Sequence, residues 1–262
     1  MGCLLKANGL YSRTTVGAVL LAAGAASRLG GRPKALRELG GVPLVMRQLV
    51  ALSGAGVDEV VVVLGHHADA VEAAIGQFPI SIVRNPECVS PRPPGTAAAP
   101  RGGSRPPSER PGGGRADDGQ ASSVRIGLQA LSPRLDAVIV ALADQPLIDA
   151  QDIVALIGAF KKRGAASMVV PRVRIHGDGG GGEALPGNPV IFDAALRDEW
   201  LAGEADAACR KWRLAHPERV HWFDTDNRRY RLDIDTPEDL ERFTTLTGHT
   251  LQWPASLATS TA

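Results

Sequence analysis

The apolar run Val16–Leu20 passes without a spacer into Leu21 to Lys34, which reads LAAGAASRLGGRPK. A continuous apolar stretch of this length is expected of a strand covered on both faces, as in a parallel sheet. The loop behind it is made of small residues and carries two cations, Arg28 and Lys34. Gly24, Gly30 and Gly31 let main-chain N–H groups turn inward and approach a polyanion with no Cβ in the way. A plain strand-to-helix turn also uses glycine but has no need of two cations, so the loop reads as a triphosphate cradle. It is neither the P-loop G-x-x-x-x-G-K-[ST] nor the Rossmann G-x-G-x-x-G. The one formal match to the latter, Gly177–Gly182, does not open a helix and is compositional.

Apolar runs and helical patterns alternate along the remaining chain. Strands are expected at Val16–Leu21, Glu59–Leu64, Ile80–Val83, Ala137–Leu142, Ala166–Val170, Pro189–Phe192, Val220–Phe223 and Tyr230–Leu232. Helices are expected from Pro43 to about Leu52, at Asp69–Gln77, Ser122–Leu131, Asp149–Lys162, Asp193–Leu201, Asp206–Ala215 and Thr236–Leu246. This β/α alternation predicts one Rossmann-like, doubly wound, mostly parallel α/β domain over residues 15–250, with its ligand crevice outside the carboxyl ends of the strands. Residues 1–14 and the tail 251–262 are expected to fray. From 87 to 118 the chain turns rich in Pro, Gly, Arg and Ser, and almost empty of large apolar residues. Such a segment buries too little to offset its ordering entropy, so a disordered insertion is expected.

With 262 residues, 44% of them hydrophobic, and a net charge of +1, the chain has no basic excess to suggest nucleic acid. Any anionic partner must be met by a local site. Cys3, Cys88 and Cys209 lie far apart and form no C-x-x-C pair, which fits a reducing compartment. Lys6 and Arg13 ahead of Val16–Ala26 imitate a secretory leader, but the glycine loop inside that run suits a buried strand better. No stretch reaches the ~18 uninterrupted apolar residues that would span a bilayer. A cytoplasmic protein with no membrane partner is expected.

Two acidic segments complement the loop. In LADQP, Leu142–Pro146, Asp144 stands just past a strong apolar strand and so at the ligand edge of a parallel sheet. In Asp233–Leu240, DIDTPEDL, Thr236 or Asp235 can cap a helix that has Pro237 in its first turn. Asp144 with Asp235, or with Asp233 as the alternative, could hold a Mg2+ that bridges phosphate oxygens, since magnesium takes one or two carboxylates plus phosphates and water. Gly119–Gly127, GQASSVRIG, reads as a small-residue turn opening a helix capped by Ser122 or Ser123, with Gly119 and Gln120 near a base or ribose edge. Gly187–Asn188 is a tight turn into a strand, either structural or facing a substrate. His66 and His67 read as ordinary loop residues, and the other histidines show no metal-like spacing.

Taken in order, LAAGAASRLGGRPKAL at 21–36, GQASSVRIGL at 119–128, LADQP at 142–146, GNPVIF at 187–192 and DIDTPEDL at 233–240 resemble the MobA-like nucleotidyltransferases, most of all the molybdenum cofactor cytidylyltransferase branch. The resemblance implies a fold of the nucleotide-diphospho-sugar transferase type. It also implies attack by an acceptor on the α-phosphorus of an NTP, with pyrophosphate leaving. By position, Leu21, Ala22, Ala23, Gly24, Gly30, Gly119, Ser122 and Ser123 would bind the nucleotide, and Arg28 and Lys34 would stabilise charge on the leaving pyrophosphate. Asp144 and Asp235 would hold Mg2+, and Gly187 and Asn188 would meet the acceptor. Ala23, where guanylyl-transferring relatives carry glycine, resembles the cytidylyl or uridylyl side of the superfamily, and CTP is the expected nucleotide. The acceptor would then be molybdopterin with its metal bound, and a molybdenum hydroxylase would receive the product. Another NTP, a sugar-phosphate acceptor, or a catalytically silent cofactor-delivery chaperone are the alternatives. The chain departs from that branch in the 87–118 insertion, in the loose match at Gly203–Arg210 and in the glycine-rich loop His176–Glu183, all bearing on the acceptor.

Overall fold

A computed structural model describes residues 13–24, 29, 31–89, 114–175, 183–203 and 209–258. The expectations for Arg28, Gly30, residues 1–12, the middle of the 87–118 insertion and most of the loop at 176–183 lie outside these residues. The first half of the chain forms β1 (Val16–Ala22), the short hairpin β2 (Glu38–Leu39) and β3 (Val42–Pro43), α1 (Leu44–Gly54), β4 (Glu59–Leu64), α2 (Ala68–Ile75), β5 (Ser81–Arg84), α3 (Pro86–Val89) and α4 (Gly114–Ala130). The second half adds β6 (Ala137–Leu142), α5 (Ala150–Lys161), β7 (Met168–Ile175), β8 (Glu183–Pro186), β9 (Val190–Asp193), α6 (Ala194–Ala202) and α7 (Cys209–Ala215). Then follow β10 (Val220–Thr225), α8 (Pro237–Thr247), β11 (Leu251–Gln252) and α9 (Ala255–Ala258).

The main sheet runs β5-β4-β1-β6-β9-β7-β10, with β8 paired to the outer part of β7. β1 pairs in parallel with both β4 and β6, whereas β9 is antiparallel to β6 and β7. From β1 the chain winds out to β5 on one side and then returns to β6 on the other. The carboxyl ends of β1 and β6 therefore flank the point where strand order reverses, the place for a ligand crevice in such sheets.

Every residue of β1 is buried, because it sits at the centre with helices on both faces. Ala18 and Leu20 face a core shared with Leu49 of α1, Val71 of α2 and Leu156 of α5. Val19 and Leu21 face a second core with Leu128 of α4, Leu196 of α6 and Trp212 of α7. A third, smaller core joins Leu29, Leu39, Leu44, Ile234, Phe243 and Leu251. It brings the glycine loop, the β2–β3 hairpin and the end of the chain together.

Several expectations are corrected. Helix α4 starts at Gly114, so Gly119–Ser123 lie inside a helix rather than in a turn, and neither Ser122 nor Ser123 caps it. The expected strand Tyr230–Leu232 is a 3-10 turn, Arg228–Arg231, because the buried Tyr230 ring anchors it as a tight turn. Arg13 is not frayed: its guanidinium donates to Gly56 O and Asp58. The start of the 251–262 tail is ordered too, since β11 pairs with β2. Pro43 ends β3 and precedes α1 instead of lying in its first turn.

Gly127 lets α4 press on the sheet: a Cβ there would stand 2.4 Å from Val19 Cγ1 and 3.0 Å from Val63 Cγ2. Gly127→Ala should therefore lower unfolding free energy by about 1–3 kcal/mol in urea titrations. Gly158, within α5, has open space around it. Gly158→Ala should raise stability by about 0.5–1 kcal/mol. Effects of the same sign at both sites would contradict this packing.

Candidate active site

Beyond β1 the main chain emerges at Ala23 and Gly24, where Ala23 is buried and Gly24 exposed. Leu21, Ala22 and Ala23 have buried side chains, so only their main chain can meet a ligand. The loop returns through Gly31, held at φ +68°, and Pro33 into a 3-10 turn over Lys34–Leu36. A Cβ on Gly24 would lie 3.4 Å from Lys34 Cε, an ordinary van der Waals contact, so the lysine stem passes directly beside the Gly24 main chain.

Lys34 Nζ donates to Asp144 Oδ2 and, at 2.6 Å, to Asp235 Oδ1. Side-chain exposure is 17% for Lys34 and 13% for Asp144 but 47% for Asp235, so the first pair is sheltered and the second is half in solvent. Burial by itself would lower the lysine pKa, but the adjacent Asp144 carboxylate and then Asp235 outweigh it and raise it well above the ordinary value. Asp144 Oδ1 is buried with no hydrogen-bond partner. Asp233, the alternative ligand, does not reach the lysine. Burial first, then the Asp144 and Asp235 charges, push its carboxyl up to about 6.

Two carboxylates converging on one cation, with a buried, unpartnered oxygen on Asp144, are a donor set that could hold a divalent ion taking its other ligands from phosphate and water. No group of three or more His, Cys, Asp or Glu able to hold a metal occurs among the described residues, so an all-protein cage is not what the site offers.

Asp144 and Asp235 are brought together by main-chain bonding rather than by the ammonium alone. Ile234 N donates to Asp144 O at 3.1 Å, docking the DIDT segment on the end of β6. Thr236 and Asp239 form a reciprocal capping box that fixes the entry to α8, with Pro237 at its start. Gln145, 1% exposed, donates from Nε2 to both Asn188 O and Tyr230 O at 3.2 Å, while its own carbonyl accepts from Gln48 Nε2. Asn188 N also donates to Tyr230 O, at 2.8 Å, and a Cβ on Gly187 would sit 2.5 Å from that oxygen. The main chain of Gly187–Asn188 is thus engaged in packing. Gln145 and Tyr230 carried no sequence signal beyond their neighbours, because what they do depends on carbonyls distant in the chain.

Ser122 and Ser123 face Asn85. The fully buried Asn85 donates from Nδ2 to both hydroxyls at 2.8 Å, and its Oδ1 accepts from Glu87 N. The serines therefore tie α4 to the end of β5, one strand beyond β4 from the loop, through Asn85, a residue that the sequence did not single out.

Residues 18–101 and 112–220 match the MobA-like NTP transferase domain. The chain belongs to this family. The match covers β1 from Ala18 onward, the segment carrying Lys34, and Asp144, whereas Asp235 lies beyond it. The chain is 29% identical to nicotine blue oxidoreductase of Paenarthrobacter nicotinovorans, over 86% of this chain and 94% of that protein. The crystal structure of Rv0371c from Mycobacterium tuberculosis superposes with a TM-score of 0.62 at 24% identity, covering 88% of this chain and 98% of that one. The same protein has been solved as a manganese complex, with a TM-score of 0.58 at 22% identity over 87% of this chain and 97% of that one. A CMP:2-keto-3-deoxy-manno-octonic acid synthetase solved with CTP gives a TM-score of 0.60 at 16% identity, over 90% of this chain and 99% of that one. These likenesses agree with the mostly parallel doubly wound domain described above.

Removing the ammonium leaves a buried carboxylate uncompensated, so Lys34→Met should destabilise this MobA-like domain by about 2–4 kcal/mol at pH 8, nearly all of it through Asp144. Adding Asp144→Asn should recover part of that loss. Because the folded lysine pKa is raised, its stabilisation is complete below about pH 10 and is lost only as pH rises through the folded value. Urea titrations of the three proteins against pH would check this, and a Lys34→Met variant as stable as the parent would contradict it.

Proposed function

We propose that this MobA-like domain transfers CMP from CTP to a phosphate-bearing acceptor of the molybdopterin type and releases pyrophosphate. The observation that carries the reading is the Lys34 ammonium bridging Asp144 and Asp235 at the strand-order reversal, beside exposed main chain at Gly24. Cations and carboxylates meeting at one crevice are what phosphoryl transfer needs, because its catalysis rests on positioning and electrostatic stabilisation. The solved neighbours with CTP and with manganese make those the first ligands to test.

In this reading the amides around Ala23 and Gly24 bind the triphosphate. Lys34, kept protonated by its carboxylates, supplies positive charge where pyrophosphate departs, with Arg28 as its partner. Asp144 and Asp235 would hold Mg2+, which supplies charge neutralisation along the phosphates. The acceptor phosphate oxygen forms a bond to the α-phosphorus as the bond to the β-phosphate bridge breaks, and no protein nucleophile takes part. The Asn188 side chain orients the acceptor, on a turn held by Gln145 and Tyr230. Ser122 and Ser123 shape the base side through Asn85, next to Gly119. The product would pass to a molybdenum hydroxylase in the cytoplasm. Among the described residues no helix is long and apolar enough to cross a membrane.

Pyrophosphate release should require a divalent ion and CTP in preference to GTP, ATP or UTP, with molybdopterin as acceptor. Asp144→Asn should lower that rate by about 100- to 1,000-fold with an unchanged circular dichroism spectrum. Release with GTP but not CTP would remove the base assignment, and release with a sugar phosphate only would remove the acceptor. Absence of release with every pair, or an active Asp144→Asn variant, would overturn the reading.

A further inference from the structure

The segment that follows α8 folds back onto the loop that carries Lys34. β11 pairs with β2, which starts two residues after the 3-10 turn of Lys34. The Trp253 ring then lies 4.0 Å from the guanidinium carbon of Arg37 and 5.6 Å from that of Arg32. Arg37 is 8% exposed and donates from Nη1 to Leu251 O at 3.2 Å, while its Nε is buried without a partner. Leu29, within the glycine loop, shares the third core with Ile234, Phe243 and Leu251. Trp253 and Arg37 belong neither to the carboxylate pair nor to the motifs read from the sequence.

Two guanidinium groups held near each other repel. Burial, followed by the Arg32 charge, lowers the Arg37 pKa. An indole face attracts cations through its quadrupole, and more strongly where water is excluded, so Trp253 offsets that repulsion. The same polypeptide reaches the site at both ends of α8: Asp235 stands just before the helix and Trp253 beyond it. The C-terminal segment and the segment that follows Lys34 are thereby packed against each other.

We propose that Trp253 is a positioning residue for the triphosphate loop: its ring fixes Arg32 and Arg37, so that the loop presents its charge to the β- and γ-phosphates of the nucleotide only when the C-terminal segment is docked. The inference rests on the nucleotide reading above. It deepens that reading by giving a residue remote from the motifs control over phosphate binding.

The test uses the full chain with Trp253→Ala and Trp253→Phe, two ligands that differ in phosphate number, CTP and CMP, and hydrogen exchange without ligand. In Trp253→Ala, exchange across residues 31–39 should speed up about tenfold, and calorimetry with Mg2+ should show CTP binding weakened about tenfold. CMP binding should change by less than about twofold, because CMP lacks the phosphates in question. Trp253→Phe, which keeps an aromatic face, should recover most of the CTP affinity. A merely structural role would weaken both nucleotides alike, and that result, or unchanged exchange, overturns the proposal. A parent protein that binds neither nucleotide while exchange still responds overturns the nucleotide reading instead, and reduces Trp253 to a residue that holds the loop and nothing more.

Discussion

One ammonium held by two carboxylates marks the point where three distant segments of this molecule meet. Lys34 is 110 residues from Asp144 and 201 from Asp235, and each sits on a different part of the fold. Charges so placed can meet only if the sheet delivers them, because attraction between solvated groups does not offset the entropy of ordering three segments. The parallel register of β1 with β6 sets Leu21 beside Leu142, so the loop after one strand and the acid after the other emerge together. The hydrogen bond from Ile234 N to Asp144 O adds the third segment. The ion pair is therefore a consequence of the fold, and the site inherits its geometry from main-chain bonding.

Stability and function are divided among the three cores. The two large ones clamp the sheet from both faces and hold most of the buried aliphatic and aromatic groups. The small one joins Leu29 of the loop, Leu39 of the hairpin and Leu44 of α1 to Phe243 of α8 and to Ile234 and Leu251 on either side of that helix. Regions with fewer buried contacts open at lower free-energy cost than the central strands. A loop that must admit a charged nucleotide is placed where it can yield without disturbing β1 or β6. Gln145, Tyr230 and the Gly187 turn perform the corresponding task on the other flank, where main-chain carbonyls rather than charges do the joining.

Sequence patterns located the elements whose environment is uniform. β1 and β6, and β4 after Glu59, are continuous apolar runs because both faces are covered, and Thr236-Pro237 announces α8 through capping chemistry that is local. Patterns failed where a residue answers to something distant. Ser122 and Ser123 look like caps because serine often caps, yet they lie within α4 and accept from Asn85, 37 and 38 residues earlier. The short strands β2, β3 and β11 are only two residues each and carry no periodicity to detect.

Loop glycines, strand-end acids and their order along the chain pointed to phosphate chemistry, because the residue types a polyanion and a divalent ion demand are few and sit at strand ends. Which acid faces the lysine, that the Gly187–Asn188 turn is bonded to Gln145 and Tyr230, and that Trp253 returns to the loop were decided by tertiary structure. Those outcomes depend on register, on main-chain carbonyls and on a contact between segments more than two hundred residues apart. A linear sequence states none of these, since distance in space between such segments is set only when the sheet has formed.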